Sequence, residues 1–175
     1  MSFLGTAIKS TILVTGGGSG IGLALAKRLS AKGHEVIVVG RHQEKLDNAR
    51  LECPKLIAFE ADVSTDNGRK ALFERVSLDH PQLNVLINNA GEHTTLPPLW
   101  KTSEEDWKVH QRVLSTHLEA PIHLSMLCLP SLMKHPNALI MNVSAILAFA
   151  PFAMAPSYSA AKGEPSIISL TTIFA

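Results

Sequence analysis

The sequence predicts an α/β fold with a doubly wound parallel sheet, formed as one domain. Three observations predict it. Short apolar runs alternate with longer stretches of helical periodicity, the run Glu35–Val39 is apolar almost throughout, and 175 residues fit one domain. A continuous apolar run is typical of a strand buried on both faces. Alternating strands and helices indicate βαβ units with right-handed crossovers.

The predicted elements follow one another in a regular order. The predicted strands are residues 11–14, 35–39, 55–61, 84–87 and 138–143. The predicted helices are 21–32 (ended by Gly33), 43–50, 67–78, a long one opened by a capping box at 102–105 and running to about Lys134, and a last one with Pro156 at its first position. We expect Pro121 to break or bend the long helix, because proline removes a helical hydrogen bond.

Composition excludes several classes of protein. Sixteen basic and fifteen acidic residues leave a net charge of +1, which gives no electrostatic footprint for nucleic acid or an anionic membrane. There is no apolar run of membrane-spanning length and no secretory signal pattern at the start. Cys53 and Cys128 fit no metal or redox motif, and we interpret them as buried thiols in a reducing compartment. We therefore expect a soluble, cytoplasmic protein without a metal.

The segment Thr15–Gly22 is rich in glycine and lies directly between the first predicted strand and helix. Glycines at such a place allow a tight turn, close approach of the backbone to a pyrophosphate, and close packing of helix on strand. The helix N-terminus adds free N–H groups, and Ser19 adds a hydroxyl. A glycine turn without a ligand is the alternative, whereas a P-loop is excluded because no Lys-Ser or Lys-Thr follows. The flanking elements favour a Rossmann-type dinucleotide site.

Four motifs occur in an order and spacing that resemble the short-chain dehydrogenases/reductases. They are the glycine loop Thr15–Gly22, Asp62-Val63, Asn88-Asn89-Ala90-Gly91, and Tyr158-Ser-Ala-Ala-Lys162. The resemblance implies that Asp62 lies near the adenine, that the Asn88–Gly91 turn lies beside the cofactor, and that Tyr158 and Lys162 belong to the active site. It covers nearly the whole chain.

The end of the second predicted strand indicates which cofactor is used. An acidic residue about 20 positions beyond the glycine loop would bind the ribose 2′-hydroxyl of NAD. Gly40 occupies that position and Arg41 follows it. A guanidinium suits bidentate contact with a 2′-phosphate, so we expect NADP(H) rather than NAD(H). A solvated surface arginine is the alternative.

Tyr158 and Lys162 are four residues apart and share one face of a helix. A neighbouring ammonium would lower the pKa of a tyrosine. The resemblance implies that Tyr158 is the general acid or base, and that Lys162 lowers its pKa and binds the nicotinamide ribose. An ordinary surface pair is the alternative. The predicted catalytic residues are Tyr158, Lys162 and Ser144, and the predicted cofactor-binding residues are Gly16, Ser19, Gly20, Ile21, Gly22, Arg41, Asp62, Val63, Asn89, Ala90, Gly91, Tyr158 and Lys162.

The sequence departs from the family's pattern in its second half. The position thirteen residues before Tyr158, where the family has a serine, is Ala145, with Ser144 adjacent. His117 stands where the family has an asparagine that supports a proton-relay water, and a helix histidine without that role is equally compatible. Pro165 falls inside the expected last helix, where proline costs on the order of 3 kcal/mol. The family continues with further strands beyond the position of Ala175, so we expect this chain to lack the usual last strands.

The sequence thus favours an NADP(H)-dependent oxidoreductase that interconverts an alcohol and a carbonyl on a small-molecule substrate. The alternatives are a catalytically silent dinucleotide-binding or interaction protein of the same fold, and a truncated product that does not fold. Substrate and reaction direction stay open, and so does homo-oligomer formation. Because the departures all lie at or after His117, we expect nucleotide binding to be better preserved than catalysis.

Overall fold

The fold comes from a computed structural model, which describes residues 9–92 and 99–163. The strands are β1 (Thr11–Thr15), β2 (Glu35–Gly40), β3 (Ile57–Glu60), β4 (Leu83–Asn88) and β5 (Leu139–Asn142). The helices are α1 (Gly20–Ala31), α2 (Gln43–Glu52), α3 (Asp66–Asp79), α4 (Glu104–Leu114), α5 (Ala120–Leu132) and α6 (Pro156–Gly163). A π-helical turn, Ser115–Glu119, joins α4 to α5, and short 3₁₀ turns lie at Leu99–Lys101 and Ile146–Ala148.

The five strands form one sheet in the order β3-β2-β1-β4-β5, and every neighbouring pair is parallel. The chain runs outward from β1 to β3 and then crosses back to β4 and β5. The order therefore reverses between β1 and β4, and a crevice forms at the carboxyl ends of these two strands. The predicted Rossmann-type doubly wound sheet is confirmed.

The sheet is covered on both faces by helices, which explains why apolar residues predominate on both faces of its strands. Successive side chains of a strand point to opposite faces, so β1 and β2 supply residues to two separate cores. One core packs α3 and α5 against the sheet and the other packs α1 and α2. Each fully buried Val or Leu contributes about 1.5–3 kcal/mol. This packing fixes the crevice on a rigid base.

The long predicted helix is irregular one turn before Pro121. Because proline lacks an N–H and its ring crowds the carbonyl four residues earlier, the chain widens into the π turn at Ser115–Glu119. The turn buries Thr116 and His117. The expected irregularity is confirmed, and it turns His117 toward the interior.

The expectations for the capping box and for the burial of the cysteines need correction. The predicted capping box at 102–105 is shifted by one residue, since Ser103 is the N-cap and its N–H and hydroxyl donate to Asp106 at 2.7 and 2.9 Å. Cys128 is buried, but Cys53 is only half-buried. Pro165 lies outside the described residues.

Among residues 9–92 and 99–163, no helix is long and apolar enough to cross a membrane. The same residues contain no group of three His, Cys, Asp or Glu side chains able to hold a metal ion.

Candidate active site

The glycine loop between β1 and α1 is in backbone contact with the turn after β4. A Cβ on Gly16 would lie 2.8 Å from the Cα of Ala90, and a Cβ on Gly22 would lie 2.3 Å from the carbonyl oxygen of Gly16. Gly16 and Gly20 have φ angles of +66° and +55°, in the left-handed region that favours glycine. Close backbone contact or a positive φ therefore explains why Gly16, Gly20 and Gly22 are glycines.

Thr15 and Asn89 fasten this loop to the end of β4. The hydroxyl oxygen of Thr15 accepts hydrogen bonds from the backbone N–H groups of Asn89 and Ala90, both at 3.0 Å. The side-chain amide of Asn89 donates to the carbonyl oxygens of Thr15 and Gly16 at 2.9 and 3.3 Å. The side chain of Asn89 thus shapes the site by holding the loop.

A cavity of about 480 Å³ opens at the carboxyl ends of β1 to β4, where the strand order reverses. All eleven of the predicted cofactor-binding residues that precede position 92 line it: Gly16, Ser19, Gly20, Ile21, Gly22, Arg41, Asp62, Val63, Asn89, Ala90 and Gly91. Tyr158 and Lys162 do not line this cavity. Their predicted contact with a cofactor stays a prediction, as do the binding roles of the other eleven.

Four further residues of the cavity wall have polar or charged side chains and were not among the predicted cofactor-binding residues: His42, Lys45, Glu92 and Thr116. His42 is the N-cap of α2, and Lys45 in its first turn adds a second positive charge near Arg41, which was a usable signal. Glu92 directly follows the Asn88–Gly91 turn. No sequence signal indicated that the π turn brings Thr116 to the same wall.

Arg41 is an exposed residue that forms an ion pair. Its Nη1 lies 2.6 Å from Oε2 of Glu92, and its Nε donates to Nε2 of His42 at 3.1 Å. Nε of Arg112, from α4, lies 3.2 Å from the other carboxylate oxygen of Glu92, and its Nη2 lies 3.4 Å from Asp62. Arg41 is thus a surface arginine that is held by an ion pair, and its predicted contact with a 2′-phosphate stays a prediction.

The carboxylate of Asp62, which follows β3, is bound by other residues of the chain. Burial opposes ionisation of Asp62, but hydrogen bonds from the hydroxyl and N–H of Ser64, helped by Arg112 and Arg41, outweigh it and hold the pKa below its ordinary value. The two Ser64 bonds are 2.7 and 3.0 Å long. Asp62 is thus negatively charged at pH 7 and oriented by the turn that opens α3.

Helix α6 presents Tyr158 and Lys162 on one face, as the spacing predicts, but the lysine is turned toward the strand. Its Nζ donates to the carbonyl oxygen of Val143 at 2.7 Å and lies 5.8 Å from the centre of the Tyr158 ring. Burial lowers the pKa of Lys162, and burial raises the pKa of Tyr158. Burial is the cause of both shifts, and the Val143 carbonyl holds the ammonium, so the prediction that Lys162 lowers the pKa of Tyr158 stays a prediction.

Ser144 is likewise engaged by the backbone. Its hydroxyl donates to the carbonyl oxygen of Lys162 at 3.1 Å, near the end of α6. Ala145 has an extended backbone (φ −144°, ψ 162°) and brings no hydroxyl to the position that the family's serine occupies. A catalytic role for Ser144 stays a prediction, while its bond to Lys162 gives it a structural role.

His117 lies between Tyr158 and Glu92. Its ring meets the Tyr158 ring edge-on, with centres 4.8 Å apart, and its Nε2 lies 3.2 and 3.1 Å from the backbone nitrogen and oxygen of Glu92. A Cβ on Gly91 would lie 2.6 Å from its Cε1, so the ring rests on a glycine. Burial, together with the charge of Lys162, lowers the pKa of His117 to about 4, so the ring is neutral at pH 7. Its Nδ1 is buried without a hydrogen-bond partner among the described residues.

Comparison with known proteins agrees with this geometry. Residues 10–172 match the family defined as short chain dehydrogenase. A Bacillus subtilis (strain 168) protein named Uncharacterized oxidoreductase DltE is 41% identical over 162 residues, which are 93% of this chain and 64% of that protein. The NADP-dependent 3-hydroxy acid dehydrogenase YdfG of Escherichia coli (strain K12) is 27% identical over 86% of this chain and 60% of its own length.

Solved structures give the same result. The crystal structure of a metagenomic short-chain oxidoreductase in complex with NADP superimposes with a TM-score of 0.83 at 26% identity, over 93% of this chain and 75% of that one. A short-chain dehydrogenase from Streptomyces avermitilis gives a TM-score of 0.82 at 27% identity, over 93% of this chain and 59% of that one. The chain thus spans 60–64% of the length of the Bacillus and Escherichia relatives. On this match and on the geometry of its crevice, the chain belongs to the short-chain dehydrogenase/reductase family of oxidoreductases.

Proposed function

We propose that this chain carries the site of an NADP(H)-dependent oxidoreductase that interconverts an alcohol and a carbonyl. The observation that carries the proposal is the cavity of about 480 Å³ whose wall combines the glycine loop, the turn after β4 and the Arg41 side chain. Two of the compared proteins are described with NADP, one as NADP-dependent and one as a complex.

The wall of the cavity fits a dinucleotide in two respects. A Cβ on Gly20 would meet nothing within 4 Å, so space is open at the N-terminus of α1, where free N–H groups favour a pyrophosphate. At the other end, Arg41 and Lys45 supply positive charge where a 2′-phosphate would lie, and Gly40 offers no carboxylate to repel it. When bound, the nicotinamide supplies or accepts the hydride.

Tyr158 is the residue we assign to proton transfer. Since burial raises its pKa, the phenol is protonated at pH 7, which is the state that a general acid needs in order to donate a proton to a carbonyl oxygen. Lys162 and His117 fix the position of the ring, the lysine from one side and the neutral imidazole edge-on. We assign Lys162 to the nicotinamide ribose as well.

A second candidate is a nucleotide-binding protein with little or no catalysis. It is favoured by Ala145 at the position of the family's serine and by the Ser144 hydroxyl, which is already bonded to the Lys162 carbonyl. The loss of one transition-state hydrogen-bond donor costs about a hundredfold or more in rate.

Binding and turnover measured on one preparation separate the candidates. Calorimetric titration should show NADPH binding more tightly than NADH, and Arg41→Ala should remove that preference by about 1–3 kcal/mol. NADPH oxidation with a panel of ketones and aldehydes then tests catalysis, with Tyr158→Phe as the control. Binding with turnover that Tyr158→Phe abolishes supports the oxidoreductase, and a kcat of about 10 s⁻¹ excludes the silent candidate. Binding without turnover supports the silent candidate, and equal affinity for the two cofactors rejects the assignment of Arg41.

A further inference from the structure

The Glu92 carboxylate lies between two guanidinium groups at the mouth of the nucleotide cavity. Oε2 is 2.6 Å from Nη1 of Arg41, and Oε1 is 3.2 Å from Nε of Arg112. The Glu92 side chain is only 15% exposed, whereas that of Arg41 is 35% exposed. The pair is thus partly shielded from water, and its attraction is stronger than that of a fully solvated pair.

The backbone of Glu92 is held independently of this ion pair. Nε2 of His117 contacts both the backbone nitrogen and oxygen of Glu92, and the His117 side chain is only 2% exposed in the π turn between α4 and α5. Arg112 reaches Glu92 from α4, the helix that precedes the same turn. Position 92 is therefore anchored by the packed helices, and its carboxylate is kept beside Arg41.

The positive charge of Arg41 is therefore already partly balanced by the Glu92 carboxylate. A 2′-phosphate that approaches Arg41 has to share the guanidinium with a carboxylate 2.6 Å away, and the two anions repel each other. The guanidinium of Arg112 balances the charge of Glu92 only in part, because it also lies 3.4 Å from the carboxylate of Asp62. A nucleotide with a 2′-hydroxyl brings no second negative charge and meets no such competition.

We propose that Glu92 is a specificity-determining residue, which weakens recognition of a 2′-phosphate by competing for Arg41. The inference rests on the proposed binding of NADP(H) in this cavity. Glu92 lies outside the glycine loop, and its effect is to make the NADP preference of the chain smaller than Arg41 alone would give.

The test compares nucleotides that differ in the 2′-phosphate. Adenosine 2′,5′-bisphosphate and adenosine 5′-monophosphate isolate the adenine end from the nicotinamide, and NADPH and NADH repeat the comparison with whole cofactors. Glu92→Gln should tighten binding of both 2′-phosphorylated ligands by about five- to tenfold in low salt and leave the other two within about twofold. The difference should shrink as salt is raised.

Glu60→Gln is the matched control. Glu60 is exposed at the carboxyl end of β3, lines the neighbouring opening with Arg41 and Glu92, and has no ion pair among the described residues. It loses the same unit of charge without touching Arg41, so we expect a change below about twofold. If Glu60→Gln and Glu92→Gln change the affinity for 2′-phosphorylated ligands equally, the effect comes from net charge alone and the proposal is overturned.

A weakening of NADPH binding by Glu92→Gln would mean that Glu92 orients Arg41 for the phosphate, which also overturns the proposal. Glu92→Asp, which draws the carboxylate back by one methylene, should tighten NADPH binding by a smaller factor and serves if Glu92→Gln does not fold. If the unaltered chain binds neither NADPH nor the bisphosphate, the proposed function itself fails. If it binds them and the Glu92 variants leave their affinities unchanged, only this inference fails.

Discussion

Substitution of Gly22 by alanine tests the contact on which the nucleotide site depends. The new Cβ would lie 2.3 Å from the carbonyl oxygen of Gly16 and 2.4 Å from Nδ2 of Asn89. Neither atom belongs to a flexible side-chain end that can turn away freely, since Asn89 is fixed by its own hydrogen bonds. The glycine loop would have to move away from α1 by about 1 Å to restore ordinary contact distance.

The size of the effect follows from these contacts. Overpacking of this kind costs about 1–3 kcal/mol in free energy of unfolding. Displacement of the Asn89 amide would also weaken its bonds to Thr15 and Gly16, each worth about 1 kcal/mol. For a chain of this size, a total of about 2–5 kcal/mol lowers the unfolding midpoint by roughly 5–15 °C.

Thermal unfolding followed by circular dichroism measures the loss, and calorimetry measures the accompanying loss of NADPH binding. Gly18→Ala is the control in the same loop, because its Cβ would meet the terminal methyl of Leu46 at 3.3 Å and Lys45 no closer than 3.5 Å. We expect Gly18→Ala to cost less than about 1 kcal/mol. A Gly22→Ala protein as stable as Gly18→Ala, with nucleotide affinity unchanged, would refute the reasoning.

Three further predictions concern cofactor choice, catalysis and pH. Gly40→Asp should make NADH bind more tightly than NADPH, because its Cβ would meet Leu46 no closer than 3.5 Å and its carboxylate would face the ribose; calorimetric titration of both cofactors decides this. Ala145→Ser should raise any measurable turnover by about a hundredfold, whereas no gain there together with loss of activity in Ser144→Ala would make Ser144 the catalytic serine. The pKa of His117 is about 4 in the folded chain and has an ordinary value of 6.5. Because the unfolded chain then binds a proton more readily, the free energy of unfolding should fall by up to about 3 kcal/mol as the pH drops from 6.5 toward 4. Urea unfolding between pH 7 and 5 should show this slope in the unaltered chain and a smaller one in His117→Asn, and identical slopes would contradict it.

The sheet and the glycine loop could be predicted because their signals are local. Each strand is an apolar run bounded by turns, and the predicted bounds of β1, β2 and β4 agree with the structure to within one residue. β3 is shorter than predicted, since Leu56 still belongs to a turn closed on the Cys53 carbonyl. The requirement for glycine in the loop likewise arises within a few residues of the motif.

For the predicted catalytic residues, the sequence indicated which residues belong together but not the contacts that they make. The spacing of Tyr158 and Lys162 indicated a shared helix face, and they do share it. It carried no information on the Val143 carbonyl, which the strand end brings to the lysine from 19 positions away. The contacts of Glu92 with Arg41, Arg112 and His117 join parts of the chain up to 51 residues apart and depend on how the π turn packs, which no local pattern records.

The hydroxyl of Thr15 links the proposed nucleotide site to the completion of the sheet. Its two amide partners lie 74 and 75 residues further along the chain, so the proposed pyrophosphate cradle exists only after β4 has paired with β1. Any ligand held by that cradle binds the assembled central strands and not the unfolded chain. By mass action, a ligand at a hundred times its dissociation constant adds about 2.7 kcal/mol to the stability of the whole β1–β4 unit. A fragment that ends before Asn89 lacks both amide donors, so the Thr15 hydroxyl cannot make this link in it.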